Sequence, residues 1–189
     1  MFKNLGVSLF ILLFVLSPFV CAEELAGVDF PDTKVVEGKK LTLNGTALRK
    51  AFVFVKVFAG GLYLEHPTQD PGEIIESEQV KHFYLYYLTN KATAEKIQNG
   101  FIEEMEKTNP PELVDAHRAQ IEQYVSWLDE DMKVGSVSES VYVPGKGLTL
   151  KINGKVKGTI KDEGFAQMYY TYSLGEKADP DLKKGYLGL

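Results

Sequence analysis

From Thr33 onward, stretches with a two-residue apolar period give way to stretches with a helical period, and then the order repeats. Thr33–Val36 and Leu41–Leu43 read as short strands, and the Asn44-Gly45 pair after them is a turn signal. Over Ala51–Ala59, Phe52, Phe54, Lys56 and Phe58 alternate with Val53, Val55 and Val57. Both sets are largely apolar, which predicts a central strand covered on both sides. Gly60-Gly61 predicts a bulge or the close approach of another backbone. Leu62–Glu65 continues the strand, and the tyrosine-rich His82–Leu88 makes another.

Helical spacing follows. Ala94, Ile97, Phe101 and Met105 mark a helix over Thr93–Lys107, which the Asn109-Pro110-Pro111 run breaks. Val114, His117, Ile121, Tyr124 and Leu128 mark one face of a second helix over Glu112–Leu128. Strands return at Ser136–Val143, Leu148–Ile152 and Lys155–Ile160, joined by "PGKG" and "NGK" turns into a meander. Asp162 is placed to cap a last helix bearing Phe165, Met168, Tyr169 and Tyr172, and Gly175 ends it. Strands and helices segregated in this way predict an α+β domain, with a large, mainly antiparallel sheet and a layer of helices on one face.

The first residues alter the domain count. Lys3, the apolar run Leu9–Leu16, Pro18 and the small residues Val20 and Ala22 predict that residues 1–22 are a signal peptide cut after Ala22, with an uncleaved anchor helix or a lipid on Cys21 as the rival readings. Residues 23–189 then form one domain, and the only cysteine, Cys21, leaves with the leader. A cysteine-free exported domain suits a bacterial periplasm, with no stable membrane insertion once the leader is cut. The net charge of −5 argues against nucleic acid as a partner, since such a surface needs a basic face. The 11 Phe and 10 Tyr suit a large sheet or an apolar pocket.

Candidate chemistry is sparse. His66, His82 and His117 have no paired spacing, so no metal site is expected, and no cofactor fingerprint appears. Asp129-Glu130-Asp131 and Glu103-Glu104-Glu106 read as solvated helix faces or helix ends, the tyrosines at 169, 170 and 172 as packing, and His117 as a hydrogen-bonded core or rim residue. Arg49 stands out because it heads the most apolar strand pattern of the chain.

Two stretches, "LNGTALRK…FVKVFAGGLYLE" (Leu43 to Glu65) and "VYVPGKGLTLKINGKVKGTI" (Val141–Ile160) followed by a helix from Phe165, resemble the chalcone isomerase superfamily in order and spacing. The likeness is greatest to its bacterial exported chalcone-isomerase-like branch. The resemblance implies that Arg49 matches an arginine that guides and stabilises the substrate oxyanion in the plant isomerases. It places Phe58 where those enzymes carry a threonine, Thr93 where they carry a tyrosine, Asn99 (or Gly100) near an asparagine, and Ala166 near a threonine or serine. The loss of ketone-binding donors argues against full isomerase activity, with Tyr63, Tyr84 or Tyr86 as stand-ins. Other members resemble fatty-acid-binding proteins, with an arginine at the inner end of an apolar cleft between sheet and helices. The leading expectation is therefore a periplasmic protein that binds a small hydrophobic carboxylate such as a fatty acid, with Arg49, Phe58, Thr93 and Asn99 as ligand-binding residues. An isomerase of intramolecular-lyase type acting on a phenolic ligand, and a structural or partner-binding protein with a self-filled cleft, are the alternatives.

Overall fold

The computed structural model describes residues 22–51 and 54–189. Apart from Ala22, the expected signal peptide lies outside the described residues, as do Phe52 and Val53. The described residues open with a hairpin, β1 (Ala22–Leu25) and β2 (Val28–Pro31), turning through Ala26 and Gly27 at positive φ. Seven strands follow: β3 (Thr33–Val36), β4 (Lys39–Ala51), β5 (Val55–Leu64), β6 (Lys81–Tyr87), β7 (Val137–Val143), β8 (Gly147–Ile152) and β9 (Lys155–Ile160). They form one antiparallel sheet in chain order, every strand beside its sequence neighbour.

The helices fill the connections and the tail. α1 (Pro71–Glu76) joins β5 to β6; α2 (Ala94–Thr108), α3 (Pro111–Ala116) and α4 (Arg118–Ser126) join β6 to β7; α5 (Glu163–Leu174) and α6 (Pro180–Tyr186) close the chain. α2 starts where Thr93 Oγ1 accepts from the Lys96 amide, α5 where Asp162 accepts from the Phe165 amide. These helices pack on one face of the sheet around Phe83, Tyr87, Leu150, Phe101, Phe165 and Tyr169. The α+β architecture with a helix layer on one face is thus the observed one. The N-terminal hairpin covers part of the opposite face, where Phe30 packs with Ala59 and Tyr84.

Three sequence readings need correction. Ala51–Ala59 is not one strand: β4 ends at Ala51, β5 begins at Val55, and Phe54 in the turn is 91% exposed. Asn44-Gly45 is not a hairpin turn but lies inside β4 at a register shift. The tail explains this: the Asn44 side chain donates to the Tyr186 carbonyl and accepts from the Thr68 amide. A Cβ on Gly45 would lie 2.2 Å from the Gly185 carbonyl oxygen, so only glycine admits α6 there. The helix expected over Glu112–Leu128 is broken at His117, which ends α3 and precedes α4. Gly60 and Gly61 do mark close approaches, made by the side chains of Tyr186 and Phe30 rather than by backbone.

Candidate functional site

Arg49 lies opposite Phe58 on β5, and Phe58 lies opposite Tyr87 on β6. Residues directly opposite in an antiparallel ladder share a face. Phe58 and Tyr87 both pack against the helix-side core, so this rung faces the helices. The rings of Phe58 and Tyr87 meet edge-on with centroids 5.9 Å apart. The arginine therefore sits at the end of β4, on the side where sheet and helices meet, and not at the head of a long apolar strand.

Its guanidinium is not vacant. Arg49 Nη1 donates to Asp179 Oδ2 at 2.5 Å, and each side chain is about one-third exposed, at 34% and 32%. Asp179 also caps α6, its Oδ1 accepting from the amides of Asp181 and Leu182. Pro180 follows at the first helical position, where its missing N–H costs nothing. One carboxylate thus starts the last helix and ties it to β4. Among the described residues, Nε and Nη2 of Arg49 have no hydrogen-bond partner.

The interior behind this pair is lined with tyrosine and filled by it. Burial pushes the Tyr172 phenol up to about 12, against a weaker opposing pull from Arg49. Tyr186 and Tyr87 are likewise held above the ordinary phenol range, mainly by burial. These hydroxyls stay protonated at neutral pH, so they can donate to an anion but not serve as bases. Deeper in, Tyr169 Oη donates to Ser140 Oγ at 2.7 Å, and Tyr124 Oη shares that hydroxyl at 2.9 Å. Ring centroids lie 4.9 Å apart for Phe101–Tyr124, 5.6 Å for Phe101–Tyr172 and 4.8 Å for Phe83–Tyr186. Side chains occupy the volume where the sequence predicted a cleft. An open depression of about 260 Å³ runs beside the ion pair, between Leu48 and Lys50 on one side and Asp179, Asp181 and Gly185 on the other.

Of the four expected ligand residues, the structure brings together Arg49 and Phe58. Thr93 is engaged as the cap of α2, and Asn99 stands exposed on that helix. Ala166 is buried in α5. The stand-in donors Tyr63, Tyr84 and Tyr86 lie opposite His82, Gly61 and Ala59, on the face away from the helices. Sequence reasoning missed Asp179, although Asp179-Pro180 is itself a helix-start signal. It also missed Tyr172 and Tyr186 as neighbours of Arg49, because nothing local ties them to it. Among the described residues, no group of three or more His, Cys, Asp or Glu side chains is arranged to hold a metal ion.

The opposite face carries a second polar cluster. His82, 1% exposed, has a pKa lowered mainly by burial, so the neutral ring donates from Nε2 to Glu139 at 3.0 Å. Its hydrogen bond in turn holds the Glu139 carboxyl below the usual range. Tyr63 stacks on His82 at 5.8 Å, and Lys34 Nζ lies 3.6 Å above the ring of Tyr84. Among the described residues, His82 Nδ1 and Tyr63 Oη have no hydrogen-bond partner.

A family model described as chalcone isomerase-like matches residues 22–188 of the chain. The solved structure of a fatty-acid binding protein from Arabidopsis thaliana is similar, with a TM-score of 0.71. That likeness covers 88% of this chain and 95% of the plant chain at 16% sequence identity, and it speaks to the fold. No curated protein matches the sequence.

Proposed function

The chain belongs to the chalcone isomerase-like family, and from that premise we propose that it is a non-catalytic binding protein for a small hydrophobic carboxylate such as a fatty acid. We place it in the exported bacterial branch, acting in the periplasm after residues 1–22 are removed. The observation that carries the reading is Arg49 on the helix-facing rung beside Phe58, with one guanidinium nitrogen engaged and two left to donate. A guanidinium presents a planar fork that suits a carboxylate. Asp179 holds the place of the ligand's head group in the unloaded protein. A bound acid shares or replaces that contact, and its tail displaces aromatic side chains between sheet and helices. The plant fatty-acid binding protein of the same fold supports this choice of ligand class.

The test is native mass spectrometry of the protein from an exporting host, then titration with fatty acids. The parent should carry or take up an acid, and Arg49→Ala should bind about tenfold more weakly or worse, the loss of one charge-assisted bond. Asp179→Asn should bind more tightly, since asparagine still caps α6 but no longer competes for Arg49. No uptake in any variant, or equal uptake in all, sinks the reading. The mass of the purified chain checks the cut after Ala22.

The filled interior favours a second reading, a structural or partner-binding protein whose cleft is closed by its own rings. Failure to take up any acid supports it. Turnover of hydroxychalcones above background would instead support the isomerase.

A further inference from the structure

One end of the sheet gathers exposed apolar and basic side chains. The turn between β4 and β5 presents Phe54, 91% exposed. Just below it, Lys50 and Lys56 lie directly opposite one another in the ladder, both exposed. Like charges in that position repel, and neither joins an ion pair among the described residues. The loops that follow β6 and precede β7 meet at the same end, because Leu88 donates to the Val57 carbonyl and Gly135 to the Tyr87 carbonyl. They add Lys91, Lys133 and Val134, the last 57% exposed. Two of the nearby acids are engaged, Asp179 by Arg49 and the α6 cap and Asp131 by the Ala94 amide; Asp181 lies across the depression from Lys50, and Glu95 lies in the first turn of α2. A chain of net charge −5 thus gathers lysines around two exposed apolar side chains.

We propose that this end of the sheet docks on a lipid bilayer containing anionic phospholipid. Phe54 enters the boundary between headgroups and acyl chains, as the apolar side chains of peripheral anchors do. Lys50 and Lys56 meet lipid phosphates, which removes their mutual repulsion, and lysines near such a surface are drawn to its negative potential. Lysines on an exposed strand margin also discourage sheet-to-sheet pairing, but Lys56 lies on β5, between β4 and β6, and that role leaves the exposed phenylalanine beside it without a purpose. A phosphate-bearing polymer such as nucleic acid has no use for Phe54 or Val134 either. Among the described residues no helix is long and apolar enough to cross a membrane, so the attachment is peripheral. The inference stands apart from the ligand reading, because none of the six residues contacts the ligand in that reading.

The experiment places an environment-sensitive fluorophore at Phe54→Cys in a Cys21→Ser background and adds phosphatidylcholine vesicles with or without phosphatidylglycerol. A label at position 54 reports docking at this end alone, whatever residues 1–21 do. The emission should shift to the blue with phosphatidylglycerol and not without it. Lys50→Ala with Lys56→Ala should weaken that response roughly thirtyfold, and added salt should weaken it too. In unlabelled protein, Phe54→Ser should lower vesicle co-sedimentation about tenfold, with an unchanged melting temperature because the residue is exposed. No shift with either vesicle overturns the proposal. So does a shift that ignores the lysines. A dimer in sedimentation velocity that Phe54→Ser dissociates, without vesicle binding, assigns the surface to a second copy. Equal binding to single-stranded DNA and no vesicle response assigns it to a polyanion.

Discussion

On the helix-facing side of β6, Phe83 stacks on Tyr170 and meets Tyr186 edge-on. One residue earlier, on the opposite side, His82 donates to Glu139 beside Tyr84, which carries the Lys34 ammonium on its ring. A strand sends successive side chains to opposite faces, so neighbouring residues of β6 serve two different environments. The helix side is sealed by large rings, and its hydroxyls are paired in part through Ser140. The outer side is only partly covered by β1 and β2 and tolerates charge. Burial supplies stability on the first face, and each face holds a lysine whose charge burial disfavours, Lys81 inside and Lys34 outside.

Truncation separates the faces most strongly. Phe83→Ala empties a fully enclosed site and should cost about 3–5 kcal/mol in urea unfolding. Tyr84→Ala, half-buried, loses part of that area and the cation–π contact, about 1–2 kcal/mol. Equal losses would mean that the N-terminal hairpin seals the outer face as completely as the helices seal the inner one.

Glycines sharpen the contrast next. A Cβ at Gly45 meets the Gly185 carbonyl oxygen at 2.2 Å and the Gly188 amide nitrogen at 2.7 Å, so backbone must move. A Cβ at Gly60 meets the Tyr186 hydroxyl at 2.4 Å and a Leu85 methyl at 2.8 Å. Overpacking of this kind costs about 1–3 kcal/mol, and Gly45→Ala should lie at or above the upper end because a helix, not a ring, gives way. If Gly60→Ala is the more damaging, the Tyr186 hydroxyl is held harder than α6 itself.

Two lysines give the pH dependence. Lys81 is 2% exposed on the helix side, donates to the Ile75 carbonyl and lies over the Tyr170 ring at 4.8 Å. Burial lowers its pKa to about 8, and lowers that of Lys34 on the outer side to about 8 as well. Between pH 8 and about 10.4 the unfolded chain keeps protons that the folded one has lost, so stability rises with pH across that window. Above pH 10 the buried tyrosines, whose folded values are raised, reverse the trend. Lys81→Met should flatten the rise and leave stability at pH 7 unchanged or higher, since no carboxylate is orphaned. A rise that survives intact in Lys81→Met but disappears in Lys34→Met would place the whole effect on the outer face.

The inner face was the more readable of the two in sequence. β7 to β9 announce themselves because Gly145, Gly147, Asn153 and Gly154 sit at positive φ in their turns. α5 is visible from Asp162 and its apolar stripe. The break between β4 and β5 was hidden because the sequence between Ala51 and Val55 holds no Gly, Pro or Asn, while the turn signal before it, Asn44-Gly45, serves a bulge. The hairpin β1–β2 lies directly behind the expected leader and carries little periodicity. The Arg49–Asp179 pair joins residues 130 apart in sequence, a contact with no local signature. The arginine was legible as unusual; its partner depended on the fold.

The smallest expected effect on stability is the most informative about function. Arg49 and Asp179 are each about one-third exposed, and ion pairs of that kind contribute about 0–1 kcal/mol because solvent screens them. Arg49→Ala should therefore shift the urea midpoint little. Asp179→Ala should cost more, about 1 kcal/mol beyond it, since it also removes the cap of α6. A large loss in Arg49→Ala would mean that the pair is a structural clamp on α6, and a weakened ligand response could then follow from a displaced helix. A small loss, together with weakened acid binding in the same variant, separates the two roles: Asp179 would hold the helix, and Arg49 would be held ready for an anion from outside the chain.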